Sequence, residues 1–198
     1  ALSLVGSEMC IRDRLKLDPP DHSRIRRLVQ YGFTNRYITS LEPEIKKIVE
    51  DCLDKVHNQD SFDLIEDLAK PLPAIVIAKM MGLPNEDLDQ FQAWSEDLLV
   101  GVGGIGTTRE DIKRSGDAYE ALINYFEEII LSRKNSPGDD FIGKLIQAEE
   151  EGDKLNIKEM YGTCLLLLIA GHETTTRLIG NGMSVSYTHL RAHETKRN

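Results

Sequence analysis

The sequence lacks the features that would place it in a membrane or in an oxidising compartment. Its densest apolar stretch, residues 165–170, is far shorter than the roughly 20 apolar residues that a membrane-spanning helix needs. The apolar stretch at residues 2–6 is too short for the core of a targeting peptide and has no basic lead. The three cysteines form no CxxC pair and no even framework, so we expect a reducing, cytoplasmic location.

Acidic residues outnumber basic ones. The chain has 24 Lys and Arg against 33 Asp and Glu, which gives a formal net charge of −9. Nucleic-acid phosphates and anionic membrane surfaces repel such a protein, so neither is an expected partner. The 198 residues suffice for one domain with a core, and 40% hydrophobic residues is an ordinary globular composition.

Apolar residues recur three and four positions apart along most of the chain, which indicates helices. Strand alternation and internal repeats are absent, so the sequence predicts a mainly α fold. We expect Asp18 to cap the first helix, Ser40 to cap the second and Gly82 to end the third. Asn156 and Glu159 resemble a capping box. The predicted helices cover residues 18–31, 40–56, 71–81, 86–100, 117–134, 139–150 and 156–184.

The two ends of the chain differ from its middle. Residues 1–14 and 185–198 show no helical periodicity and join their neighbours without caps or turns. Both resemble translated adapter or vector text, so we expect the native domain to span residues 15–184. The alternative is that both ends are natural tails.

The most unusual segment is LLLLIAGHETTTR, residues 165–177, where an apolar helix runs into two small residues, an acid and hydroxyls. Residues four apart share a helix face, so Thr174 stands over Ala170 and its hydroxyl can bond back to that carbonyl. Glu173 can relay a proton from water, and the acid–alcohol pair therefore indicates proton delivery. The alternative is that Glu173 pairs with Arg177 and the threonines are packing.

A second group of residues lies in DPPDHSRIRR, residues 18–27. His22 and Arg26 are four apart and share a helix face, where they form a cationic pair suited to carboxylates. The alternative is a solvated basic face that Asp18 and Asp21 balance.

Together the two segments resemble the bacterial, soluble type of cytochrome P450, a haem-thiolate monooxygenase. DPPDHSRIRRLVQYGFT is similar to the family's helix beside the haem, and LLLLIAGHETTT to its central helix above the oxygen-binding face. PLPAIVIAKMMGLP and QAWSEDLL resemble the intervening helices in order and spacing. The resemblance covers residues 15–184 and implies a P450 fold truncated at both ends.

The resemblance also implies a cofactor and its binding residues. The cofactor is haem b, whose propionates His22 and Arg26 would hold. Ala170 and Gly171 would flank the groove in which dioxygen binds.

The implied activity is insertion of one atom of O2 into a small apolar organic substrate. Glu173 and Thr174 would be the catalytic pair that delivers protons before the O–O bond is cleaved. Electrons would come from a ferredoxin or flavoprotein, and we expect a monomer. The break at residues 100–108 would lie near the substrate entrance.

One part of the family pattern is missing from the chain. The iron ligand of the family is a cysteine in an FxxGxxxCxG loop, which follows a Glu-x-x-Arg helix, and neither motif occurs here. None of Cys10, Cys52 and Cys164 lies in such a glycine-rich loop, and Cys52 falls in an apolar stripe typical of a core thiol. We therefore expect no metal ligand in this chain and no activity from the chain alone.

Other motifs are incomplete. His172 begins an HExxH zinc motif, but Thr176 occupies the place of its second histidine. The glycines of residues 101–106 spell GxGxxG, but a helical segment precedes them where a dinucleotide site needs a strand. The remaining alternative to a monooxygenase is a non-enzymatic, all-helical ligand carrier or interaction domain.

Overall fold

The computed structural model describes residues 17–102, 108–150 and 152–194 of the chain. The predicted mainly α class is confirmed, because helices account for most of these residues. In the described ranges the α-helices are α1 (Asp21–Gln30), α2 (Asn35–Ser40), α3 (Glu42–Asp54), α4 (Pro71–Met80), α5 (Leu88–Val102), α6 (Arg109–Arg133), α7 (Phe141–Gln147) and α8 (Ile157–Glu194). A π-helical segment (Ile65–Ala69) precedes α4, and a 3₁₀ turn (Asn85–Asp87) precedes α5.

Some predictions concern residues outside the described ranges. The N-terminal flank (residues 1–14) lies there, as do residues 103–107 of the glycine-rich break and residues 195–198. The rest of the C-terminal flank belongs to α8, which continues to Glu194 beyond its predicted end. The side chains of residues 181–189 are all exposed, so tertiary packing adds little to this part of the helix. Whether the flanks belong to the native domain stays a prediction.

Three predicted helix ends are confirmed. Gly82 follows the end of α4 with a φ of +69°, a left-handed conformation that glycine adopts most readily. The capping box at the start of α8 forms: Asn156 N donates to Glu159 Oε2 (2.8 Å), and Glu159 N donates to Asn156 Oδ1 (3.1 Å). Asp140 caps α7 by accepting a backbone hydrogen bond of 2.9 Å.

Other predicted boundaries are wrong. Ser40 caps no helix; it is the last residue of the unpredicted α2, and its Oγ donates to Tyr37 O (2.7 Å). Helix α6 begins about two turns earlier than predicted, because Thr108 and Asp111 form a capping box. Residues 109–116 have almost no apolar side chains, so periodicity could not reveal this part of the helix. Helix α1 begins at Asp21, after the two prolines.

A small hairpin replaces the end of the helix predicted over residues 139–150. Strands β1 (Glu149–Glu150) and β2 (Asp153–Lys154) pair antiparallel, and Gly152 between them has a φ of +84°. Helix α7 therefore ends at Gln147, and the hairpin connects it to the start of α8.

Helix α8 lies at the centre of the packing and contacts α4, α5, α6 and α7. Beside it, Phe91 of α5 meets Phe126 of α6 with ring centroids 6.2 Å apart. The buried face of α8 continues this core with Tyr161, Cys164, Leu165 and Leu168. Although α8 has 38 residues, neither it nor another helix in the described ranges is apolar enough over a sufficient length to cross a bilayer.

One arginine fastens α1 to the start of α8. Arg24 Nη1 donates to Asp153 in β2 (3.3 Å), and Arg24 Nη2 donates to Glu159 Oε1. Glu159 uses its other oxygen in the capping box of α8. Together with the buried side chains of Ile25 and Leu28, this ion pair fixes the position of α1 against the rest of the domain.

Gly82→Ala and Gly152→Ala separate backbone strain from steric contact. Both residues have a positive φ, so each substitution costs about 1–2 kcal/mol in backbone strain. Only at residue 82 would the new methyl lie 2.5 Å from Asp140 Cγ; at residue 152 no described atom lies within 4 Å. In urea denaturation we expect Gly82→Ala to lose at least about 1 kcal/mol more than Gly152→Ala. Equal losses would show that Asp140 moves aside at no cost.

Candidate functional site

The segment at residues 165–177 lies within α8, and its polar residues divide between two sides of that helix. Ala170 and Thr174 are exposed on one side, whereas His172 is buried on the other. Thr174 Oγ1 donates to Ala170 O at 2.6 Å, the back-bond that the sequence suggested. The Thr174 hydroxyl and the Ala170 methyl therefore lie on the exposed side of α8, while the opposite side of the helix packs against the domain.

Glu173 lies between these two sides and pairs with Arg177. Its Oε1 accepts from Arg177 Nε (3.0 Å) and Nη2 (2.6 Å), the contact expected from the alternative interpretation. The two side chains are 35% and 73% exposed, and an exposed i,i+4 pair contributes only about 0.3–0.5 kcal/mol. Glu173 makes no hydrogen bond to Thr174 among the described residues. The weak ion pair leaves the carboxylate free to change partners at little cost.

Gly171 is used for close packing against α4. A Cβ at this position would lie 2.9 Å from Ile77 Cδ1, so a larger residue would require the end of the Ile77 side chain to move. The small residue therefore has a structural reason in this chain, and its predicted place beside an oxygen groove stays a prediction.

The sequence indicated His172 only as part of an incomplete zinc motif, whereas the structure buries this residue in the domain. The ring is 3% exposed, and its Nε2 lies 3.1 Å from Lys70 O. Nδ1 is buried without a hydrogen-bond partner among the described residues. Burial lowers the pKa of His172 below its ordinary value. The signal in the sequence was spacing: His172 continues, four residues on, the buried stripe that ends in Leu168.

A cavity of about 460 Å³ lies beside His172. Across the cavity, Arg114 of α6 pairs with Asp97 of α5. Its other charged or polar lining residues are Lys70, Glu96, Glu173, Thr176 and Arg177. Glu173 therefore borders this cavity while lying next to Thr174 in the chain.

His22 and Arg26 lie on the side of α1 away from Arg24. His22 is half-buried and Arg26 is exposed. Neither side chain makes a hydrogen bond or an ion pair with a described residue, so Asp18 and Asp21 do not neutralise them by contact. Two unpaired nitrogen donors on one helix face suit the carboxylates of a haem.

The structure does not bring the two groups of predicted residues into direct contact. Within the described ranges no hydrogen bond or ion pair joins His22 or Arg26 to residues 170–174. No group of three or more His, Cys, Asp or Glu in those ranges could hold a metal ion. Cys52 and Cys164 are both buried, and burial raises the pKa of each thiol.

A mainly α domain whose long central helix exposes a small residue and a threonine agrees with the helical part of a P450. The family model described as "Cytochrome P450" matches residues 6–192, and the chain belongs to the cytochrome P450 family. A cytochrome P450 of Bacillus subtilis (strain 168) is 39% identical over 178 residues, which are 90% of this chain and 42% of that protein. Cytochrome P450 107B1 of Saccharopolyspora erythraea is 39% identical over 84% of this chain and 39% of its own length.

Solved structures support the same family assignment. The ligand-free cytochrome P450 TbtJ1 superposes with a TM-score of 0.86 at 36% identity, covering 98% of this chain and 50% of that one. Substrate-free CYP109E1 from Bacillus megaterium gives a TM-score of 0.84 at 37% identity over 92% of this chain and 48% of that one. The chain therefore spans about two fifths of the curated relatives and about half of these structures. Membership of this family does not favour the non-enzymatic alternative.

The pH dependence of unfolding should reveal the buried ring. Because folding lowers the pKa of His172 below 6.5, the unfolded chain takes up this proton at a higher pH than the folded chain. The contribution of the neutral ring to stability is present above about pH 6.5 and is lost as the pH falls toward the folded pKa. His172→Phe should therefore lose less unfolding free energy between about pH 7.5 and about pH 5.5 than the parent chain.

The matched control is His57→Phe, which replaces an exposed histidine. Urea unfolding at several pH values should show the parent's pH dependence in this variant. The same dependence in His172→Phe would contradict the assignment of a neutral buried ring.

Proposed function

We propose that a P450 chain containing residues 17–194 is a haem-thiolate monooxygenase that inserts one oxygen atom of O2 into an organic substrate. The observation that carries the proposal is the exposed pair of Ala170 and Thr174 on the anchored helix α8 of a cytochrome P450. Buried polar groups need partners, but a hydroxyl kept on an open helix face is available to a ligand.

The cofactor that the family implies is haem b, and the residues of this chain fit it. When bound with a thiolate ligand, haem supplies the binding of dioxygen and the cleavage of its O–O bond. His22 and Arg26 would hold the two propionates, each charge-assisted hydrogen bond contributing about 1.5–3 kcal/mol. Both side chains lack a competing partner among the described residues, which supports this role.

Four residues of α8 contribute to the proposed proton delivery. The methyl of Ala170 leaves room beside the Thr174 hydroxyl, which donates to Ala170 O until it turns toward a ligand. After leaving its weak pair with Arg177, Glu173 would take up a proton from water and pass it to Thr174 Oγ1. Gly171 has no side chain and would leave room for a ligand in the groove, in addition to its packing against Ile77.

The substrate and the electron donor follow from the family rather than from a contact in this structure. We propose a small apolar organic substrate and a ferredoxin or flavoprotein electron donor. Some of the similar structures contain a ligand. CYP109E1, which is 35% identical to this chain, binds testosterone, and a MycG variant, which is 34% identical, binds mycinamicin IV. Such different ligands at similar identity support the broad class and select no single compound. The cytoplasmic location and the monomeric state stay predictions.

Replacing the hydroxyl should uncouple the enzyme. In a full-length haem protein carrying this segment, Thr174→Ala should keep consuming NAD(P)H while hydrogen peroxide replaces product. We expect product formation to fall about 10²-fold through the loss of proton delivery. The parent must first show the red-shifted Soret band of a thiolate-ligated carbonyl complex; its absence would contradict the proposed function.

Thr176→Ala is the matched control for this experiment. Thr176 Oγ1 makes the same kind of back-bond, to His172 O at 2.9 Å, but faces the cavity. We expect it to retain coupling. Equal peroxide yields from both variants would mean that Thr174 has no special role.

Removing one cation from α1 should weaken haem retention. Arg26→Gln loses one charge-assisted bond, so we expect haem to dissociate about 10- to 100-fold faster. Transfer of haem to a scavenging protein measures this rate. Arg36→Gln removes a cation from an exposed site on α2 and should leave the rate unchanged. Equal rates of haem dissociation in the two variants would show that Arg26 does not bind the haem.

A further inference from the structure

Residues 170–175 of α8 (AGHETT) have two different surroundings. Ala170 and Thr174 lie on the open side of α8, while Gly171 and His172 lie against the domain. Successive residues are about 100° apart around a helix, so the rotation of α8 decides which residues face which side. Fixing Gly171 and His172 therefore also fixes the direction of Thr174.

His172 supplies a directional link between α8 and the start of α4. A backbone carbonyl can only accept, so Nε2 must carry the proton that it donates to Lys70 O at 3.1 Å. Lys70 is the residue immediately before α4. The hydrogen bond joins positions 102 residues apart in the chain, and the ring is 97% buried, with 3% exposed.

Gly171 makes a second contact to α4, about two turns further along that helix, at Ile77. This contact is apolar, and apolar contacts have no preferred direction. It therefore sets the distance between the two helices more than their relative rotation. The hydrogen bond of His172 weakens steeply when its angle changes, so it adds a directional restraint on rotation to the packing of the buried face of α8.

The geometry points to His172 as a positioning residue that locks the rotation of α8 and so directs Thr174 and Ala170 toward the oxygen site. This inference rests on the proposed function for the role of Thr174, but the lock itself is a property of the helix. A rotation of about 20° would move an atom about 5 Å from the helix axis by about 1.7 Å. A displacement of about 1 Å can cost about 10²-fold in rate.

The test compares three substitutions of His172 in the full-length haem protein. The amide nitrogen of Gln reproduces the position of Nε2, that of Asn reproduces Nδ1, and Phe keeps the ring shape without a donor. The matched control is Thr163→Val, on the same helix. Thr163 is 7% exposed, and its Oγ1 donates within the helix to Glu159 O (2.7 Å), so the substitution removes a buried hydrogen bond of α8 that does not reach α4.

Two measurements other than turnover report the rotation. The C–O stretching frequency of the ferrous carbonyl complex responds to the polar groups that face the bound CO. Hydrogen exchange of backbone amides in residues 170–177 and 71–77 reports the contact between α8 and α4. The peroxide yield per NAD(P)H then relates both to function.

We expect His172→Phe and His172→Asn to shift the C–O stretch, to speed exchange in both segments and to raise the peroxide yield several-fold. His172→Gln should restore all three toward the parent. Thr163→Val should leave the stretch and the peroxide yield unchanged.

Two results would overturn the lock: His172→Phe and His172→Asn behaving like Thr163→Val, or His172→Gln behaving like His172→Asn. If the Phe variant does not fold, the Gln and Asn pair decides the question alone. A coupled Thr174→Ala enzyme together with altered exchange in His172→Asn would support the lock and refute the proposed role of Thr174. An uncoupled Thr174→Ala enzyme with no effect of either His172 substitution would do the reverse.

Discussion

Burial of one face of α8 against α4, α5 and α6 is the contact on which the other features of the domain depend. Its buried side chains, from Tyr161 to Leu168, belong to the same core as Phe91 and Phe126. Each large apolar side chain removed from water contributes about 1.5–3 kcal/mol. With that face held, the opposite face can carry an exposed threonine and an alanine without endangering the fold.

Residues 170–174 of α8 combine two requirements in little more than one helical turn. Gly171 and His172 serve the contact with α4, whereas Ala170 and Thr174 remain available to a ligand. Glu173 lies between the two sides and forms an exposed ion pair with Arg177. The residues of this segment therefore serve two purposes: the buried His172 holds the contact with α4, and the exposed Thr174 remains open to a ligand.

Local chemistry could be predicted from the sequence where it is set by neighbours in the chain. The capping box at Asn156, the left-handed Gly82 and the back-bond of Thr174 depend on residues within four positions. Features set by distant residues could not be predicted. The bond of His172 to Lys70 O spans 102 residues, and the start of α6 was hidden because residues 109–116 show no apolar stripe.

The carboxylate of Glu159 belongs to two structures at once. One oxygen completes the cap of α8, and the other binds Arg24 of α1. The ordering of the first turn of α8 and the docking of α1 are therefore thermodynamically linked. By reciprocity, an anion that binds to α1 and holds it in place also reduces fraying at the start of α8, and a well-formed cap raises the affinity of α1 for that anion by the same free energy.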